Sequence, residues 1–299
     1  LDNTATRLLS GDDGLHVIGY LCEGLNDIRL RVSDEDWRNK VRAVCLSHPL
    51  RQLVQQDPFT QRAFEKPRGY AGDAIMLDYV YRGLPPPETT FIGRQVFWGT
   101  TRVRHCLSVI ERRNYLAELI DNAARETIRP RILSVACGHL REANYSEATR
   151  SGAVAALYAL DQDPESLAVV ELDKPKEANV IPVNASVKTL LQGKVSYSNL
   201  NLIYALGLYD YLNDSLAQKL TETLFEMLAP GGKLVLANYA PDCQGRGYME
   251  AFMDWFLMCR DEAALQACAA NINSERISGT RLFRDRYNNI VFLEISRAH

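Results

Sequence analysis

No apolar run in the chain reaches the roughly 18–20 residues that a membrane-crossing helix needs, so no membrane partner is expected. Leu1 to Gly11 are polar and carry no signal-peptide core. Neither sign of charge dominates: 34 Lys and Arg against 37 Asp and Glu leave a net charge of −3, which argues against a nucleic-acid partner. None of the seven cysteines (Cys22, Cys45, Cys106, Cys137, Cys243, Cys259, Cys268) sits in a Cys-x-x-Cys pair. Spacing therefore suggests neither a zinc site nor a disulfide framework, and reduced thiols in the cytoplasm are the expectation. A Ser-His-Asp pattern, a metal-ligand cluster, an internal repeat and a low-complexity tract are missing too. What remains, at 46% hydrophobic and 24% charged residues over 299 positions, is an ordinary globular composition for one large domain or a domain with an appendage.

Residues 1 to about 130 read as helical. Ser33 before Asp34-Glu35-Asp36 and Asp57 before Pro58 are helix starts, and Leu84-Pro85-Pro86-Pro87 is a break. From Thr90 a long amphipathic helix is predicted through Phe97, Val103, Leu107, Ile110, Leu116 and Leu119, apolar positions three or four apart. From Arg131 strands and helices alternate, which implies parallel pairing. Strands are predicted near 132–137, 154–160, 179–184, 200–206 and 232–239, with a helix at 213–228 that Pro230-Gly231-Gly232 would end. Two last strands, 276–284 and 290–297, are joined by so short a link that they must form an antiparallel hairpin. The expected division is a helical N-terminal cap, 1–129, and an α/β domain, 130–299.

Two features point to an adenosine-containing ligand. The apolar run Ile132–Val135 ends in Ala136-Cys137-Gly138 before a helix-compatible segment, a place where backbone can approach a ligand closely. Some twenty residues on, a second apolar run ends in Asp161, whose carboxylate can accept both hydroxyls of a ribose. Strand-one glycine, strand-two acid, Asn184 after strand three, an aromatic strand-four loop and Pro-Gly-Gly before strand five follow in order. With the closing hairpin, this order resembles the class I S-adenosylmethionine-dependent methyltransferases. The resemblance covers about residues 130–298 and implies a Rossmann-like, seven-stranded sheet. Asp57-Pro58-Phe59-Thr60 and Lys66-Pro67-Arg68-Gly69-Tyr70-Ala71-Gly72-Asp73-Ala74 resemble a narrower bacterial family, named after synthases of 3-hydroxypalmitic acid methyl ester. Azetidine-2-carboxylate synthases stand on a similar scaffold.

The resemblance implies a cofactor, S-adenosylmethionine, held by Ala136, Cys137 and Gly138, where the family usually has Gly-x-Gly-x-Gly and this chain has Ala136, Gly138 and Leu140. Asp161 would hold the ribose, and Gln162, Asn184, Ala185 and Ser186 the adenine, although Ser186 equally reads as a helix cap. After strand four, Gly207 would line the site, and Tyr209 or Tyr211 would face the sulfonium. Asp210 would take a proton or the cofactor's ammonium group; the plain alternative is a loop with packing tyrosines. In the cap, Arg68 would pair with a carboxylate, Tyr70 close over the reacting centre, and Asp73 bind an amine or cap the helix from Ala74. Tyr248, Phe252, Met253, Trp255, Phe256 and Met258 read as core or as an acyl pocket, and Arg260 as an acceptor-carboxylate ligand or a solvent-facing residue.

Three functions remain open. The first is methyl transfer to a small-molecule carboxyl or hydroxyl group, which asks of the protein mainly alignment and exclusion of water. The second is cyclisation of S-adenosylmethionine itself, its α-amine attacking its γ carbon, assisted by groups such as Tyr70, Asp73, Tyr209 or Asn238. The third is a non-catalytic binding protein.

Overall fold

A computed structural model describes residues 1–299. The chain forms two compact units, residues 1–110 with 242–256, and residues 111–241 with 257–299. The expected boundary at 129/130 thus marks where the first strand begins, whereas the boundary between units falls inside the helix Arg104–Glu126. The assignment of 242–256 to the first unit is a tertiary fact that a linear reading could not supply.

The first unit is helical. Ser33 caps its helix by accepting from the Asp36 N–H, and Asp57 caps Pro58–Glu65 by accepting from Phe59 and Thr60. Asp57 does more than cap: its Oδ2 also accepts from the hydroxyls of Thr60 at 2.7 Å and Thr100 at 2.9 Å. Thr60 in turn meets the Tyr248 hydroxyl, on the helix Arg246–Phe252, at 2.9 Å. Burial pushes the Asp57 carboxyl up to about 6.

The single long helix expected from Thr90 is two, Phe91–Thr101 and Arg104–Glu126. Thr100 and Thr101 both donate their hydroxyls to the Phe97 carbonyl, at 3.1 and 2.6 Å, and such back-bonding competes with the helical ladder. Helices Gly14–Arg29 and Phe91–Thr101 approach closely over glycine: a Cβ on Gly99 would lie 2.5 Å from that of Ile18. Tyr248, Phe252 and Met253 are buried in this unit, so the core reading of that stripe holds for them.

The second unit is built on one seven-stranded sheet: β1 Arg131–Val135, β2 Ala156–Asp161, β3 Val180–Asn184, β4 Leu200–Ala205, β5 Leu228–Tyr239, β6 Ile277–Arg284 and β7 Ile290–Arg297. Its order is β3-β2-β1-β4-β5-β7-β6, parallel from β3 to β5, with β7 antiparallel to both β5 and β6. Leu133, Ile203, Leu234 and Leu293 pack with Leu220 and Leu224 of the helix Asp214–Glu226 in its core. That helix is shorter than expected, with Asn213 as its cap and Leu212 and Leu228 just outside it.

Pro230-Gly231-Gly232 is not the turn after the helix but a bulge within β5. Leu200 pairs with Leu228 while Leu202 pairs with Lys233. Gly231 takes φ +75°, and a Cβ on Gly232 would lie 2.7 Å from the Leu200 carbonyl oxygen, so glycine is what lets the bulge fit.

Candidate cofactor site

Strand order reverses beside β1, where connections leave in opposite directions and open a crevice at the carboxyl ends of β1 and β4. The loop after β1 has an unusual backbone. Ala136, Gly138 and Leu140 all lie in the left-handed region, at φ +54°, +53° and +49°. These are the three positions compared above with glycines, so the path persists where two of the glycines do not. Ala136 is exposed, whereas the Leu140 side chain is buried.

Asp161 ties this loop to β2. Its Oδ2 accepts from the Gly138 N–H at 2.8 Å and its Oδ1 from the Asp163 N–H at 2.9 Å. Cys137 is anchored separately, its N–H donating to the Leu160 carbonyl at 3.0 Å. Burial raises the Asp161 carboxyl above the ordinary aspartate range, and burial likewise pushes the Cys137 thiol well up, making it a poor nucleophile. Both Asp161 oxygens thus accept from backbone N–H groups, and a carboxylate can accept further hydrogen bonds.

The end of β3 comes to the same place. Asn184 donates its amide to the carbonyls of Asp161 at 3.2 Å and Gln162 at 3.1 Å, and the Ala185 N–H donates to the Asp161 carbonyl at 3.0 Å. The structure therefore brings Cys137, Gly138, Asp161, Gln162, Asn184 and Ala185 together; the Gln162 side chain is exposed. Ser186 is a helix cap, forming a reciprocal capping box with Thr189. Its cap reading replaces the adenine-binding one.

The strand-four loop corrects more. Tyr209 is 0% exposed and shares a hydrogen bond of 2.8 Å with Thr221, so it is core and faces no ligand. Asn238 is also committed inward: its Nδ2 donates to Asp210 Oδ1 at 2.8 Å and to the Met258 carbonyl at 2.8 Å, and its Oδ1 accepts from Arg260 at 2.9 Å. Arg260 neither faces solvent nor awaits an acceptor. At 3% exposure it clamps the loop, donating to the carbonyls of Tyr209 and Leu212 and to Asp214. Asp210 Oδ1 accepts from Asn238 and from the Tyr239 N–H at 2.7 Å, and burial pushes its carboxyl up to about 6. Gly207 stays exposed beside this network and Tyr211 is partly exposed.

In the helical unit, residues 66–73 form the shaped loop that two glycines suggested. Lys66 ends its helix at φ +52°, Gly69 takes φ +87° and returns its N–H to the Lys66 carbonyl at 2.8 Å. Arg68 and Tyr70 are half-buried on this loop. Asp73 is buried and capping: it accepts from the N–H groups of Ile75 and Met76 and pairs with the Arg62 guanidinium at 2.6 Å. Its carboxylate therefore supports the helix Ala74–Arg82 rather than an amine.

Two contacts at the β1–β4 crevice escaped sequence reasoning. Glu142 turns inward and accepts from the Tyr204 hydroxyl at 2.9 Å, and its neighbour Arg141 reaches Asp173 at 2.7 Å. Arg112 is buried and donates Nη1 to the carbonyl of Leu206, the residue that follows β4, at 2.6 Å. The only sequence signal was Arg112-Arg113 within an otherwise apolar helical stripe.

No protein-family model and no curated protein matches the chain. Solved structures do. One is a "possible exported protein" from Bordetella parapertussis, with a TM-score of 0.61 and 17% identity over 76% of this chain and 80% of that one. Another is magnesium protoporphyrin IX methyltransferase from Synechocystis PCC 6803 with bound SAH, with a TM-score of 0.52 and 12% identity over 76% of this chain and 96% of that one. The chain thus has the Rossmann-like methyltransferase fold expected from the order of its motifs.

Proposed function

We propose that this protein binds S-adenosylmethionine and transfers its methyl group to the carboxyl or hydroxyl group of a small molecule. The observation that carries the reading is Asp161: a buried carboxylate at the tip of β2, bonded to the N–H groups of Gly138 and Asp163 beside the left-handed loop of β1. The fold's likeness to a methyltransferase structure with bound SAH supports it. When bound, the cofactor supplies a methyl carbon made electrophilic by its sulfonium. Asp161 holds the ribose, Gly138 and Cys137 line the path of the tail, and Asn184 and Ala185 fix the Asp161-Gln162 backbone against the adenine side. Gly207 leaves the strand-four edge open for the reacting groups.

A carboxylate acceptor, a hydroxy fatty acid among them, needs no general base, since it is ionised at neutral pH. Asp210, with its carboxyl raised to about 6, is the titratable group nearest that role for a hydroxyl acceptor. Tyr209 and Asn238, which cyclisation of the cofactor would have used, are committed to the fold.

The test is mass spectrometry of purified protein with S-adenosylmethionine, alone and with small carboxylic acids or cell extract. S-adenosylhomocysteine together with a methyl mass gain in an added compound supports the proposal. Methylthioadenosine with an equimolar imino acid, formed without any acceptor, would replace it by cyclisation. No turnover alongside tight binding would leave a binding protein.

A further inference from the structure

Arg112 stands out among the buried groups of the sheet unit because its charge is so little used. The side chain is 93% buried, given its 7% exposure, yet it makes one hydrogen bond, Nη1 to the Leu206 carbonyl at 2.6 Å. No carboxylate lies within ion-pairing distance of it. A guanidinium has five N–H donors in a planar fork, and burying one without a partner is costly. Two acids lie near enough to feel its charge, Glu142 and Asp210, but neither forms an ion pair or hydrogen bond with it. Glu142 accepts from Tyr204, and Asp210 from Asn238 and Tyr239.

The unused edge has a direction. Arg112 Nη2 lies 3.8 Å from where a Cβ on Gly207 would stand, and Gly207 is exposed at the carboxyl end of β4. That end is two strands from Asp161, since the order runs β2-β1-β4. At about 4.8 Å per strand the separation is about 10 Å. An adenosyl amino acid whose ribose sits on Asp161 and whose tail crosses the left-handed loop of β1 would bring its terminal carboxylate to this edge.

We propose that Arg112 binds the α-carboxylate of the cofactor's amino-acid tail, with the Leu206 carbonyl orienting the guanidinium and the missing side chain at Gly207 opening the path. The inference rests on the cofactor reading above and adds the residue that tells an amino-acid-bearing nucleoside from a plain one. A planar fork on a carboxylate gives two parallel bonds, so geometry as well as charge contributes.

Isothermal calorimetry with two inert ligands tests it: S-adenosylhomocysteine and its decarboxylated counterpart, which keeps the amine and lacks only the carboxylate. Wild-type protein is expected to prefer the carboxylated ligand by tenfold or more. In Arg112→Gln that preference should vanish while affinity for the decarboxylated ligand stays within about twofold. Arg112→Lys, which keeps the charge and loses the fork, should fall between. A second variant guards against misfolding of the first: Gly207→Asp places a carboxylate beside Arg112 and should abolish the preference for the carboxylated ligand, whatever affinity its bulk costs both ligands alike. Equal loss for both ligands in Arg112→Gln, or an unchanged preference, overturns the assignment. If wild-type protein binds neither nucleoside, the cofactor reading itself fails, whatever Arg112 does.

Discussion

Two substitutions in the loop after β1 should move stability in opposite directions although both install glycine in the same backbone conformation. Ala136 and Leu140 sit at φ +54° and +49°. An L-residue held there costs about 1–2 kcal/mol from the contact of its Cβ with the following carbonyl. Glycine escapes that cost but loses about 0.4–1 kcal/mol through the greater freedom of its unfolded chain. At Ala136, which is exposed, nothing else changes, so Ala136→Gly should stabilise by about 0.5–1 kcal/mol. Leu140 is 3% exposed, and deleting a buried leucine side chain costs about 2–5 kcal/mol, which outweighs the relief of strain. Leu140→Gly should therefore destabilise by about 1–4 kcal/mol. Thermal melts followed by circular dichroism would show a rise of about 1–3 °C for the first and a clear fall for the second. A fall for Ala136→Gly would refute the claim that this loop stores backbone strain, and no change for Leu140→Gly would refute its role in packing.

Asp161→Ala should weaken S-adenosylhomocysteine binding by about 1–3 kcal/mol, because ribose hydroxyls and the Gly138 N–H lose their acceptor; unchanged affinity in calorimetry would sink the ribose role. Asp210 offers a pH test. Its carboxyl is raised to about 6 in the folded protein, so the folded state holds the proton more tightly, and this group's contribution to stability is fullest below pH 4 and is lost as pH rises through about 6. Asp210→Asn should remove that pH dependence, gaining about 3 kcal/mol relative to wild type between pH 4 and pH 8 in urea titrations; parallel pH profiles would contradict it. Arg260→Gln should cost about 3–5 kcal/mol, since the carbonyls of Tyr209 and Leu212 and Oδ1 of Asn238 all lose a buried donor, and a denaturation midpoint within error of wild type would exclude the clamp. Gly99→Ala forces a Cβ to 2.5 Å from that of Ile18 and should cost at least about 1–3 kcal/mol; a soluble, equally stable variant would show that the two helices can part freely.

Much of the architecture was readable because it is local. Alternating apolar runs and turn residues set the strands, and the five-residue link after Arg284 left the last two no choice but to pair antiparallel. Asp161 and Gly138 were readable for the same reason, each standing at the end of a strand where the fold opens. Ser33, Asp57 and Ser186 as caps followed from side chains that bond backbone only two or three residues away.

What the sequence could not decide was partnership across long separations. Nothing near Tyr209 says that Thr221 receives its hydroxyl, nor does anything near Asn238 announce Arg260. Arg112 and Leu206 are 94 residues apart, and their bond exists only because the fold brings that part of the long helix beside the segment after β4. The placing of 242–256 with the helical unit is of the same kind. Local chemistry is written in neighbouring residues and in the period of the pattern, so the sequence alone determined the order of the strands, several caps and the strand-end acid. Which buried polar groups satisfy one another, and which is left with donors to spare for a ligand, depends on distances that only the packed chain defines.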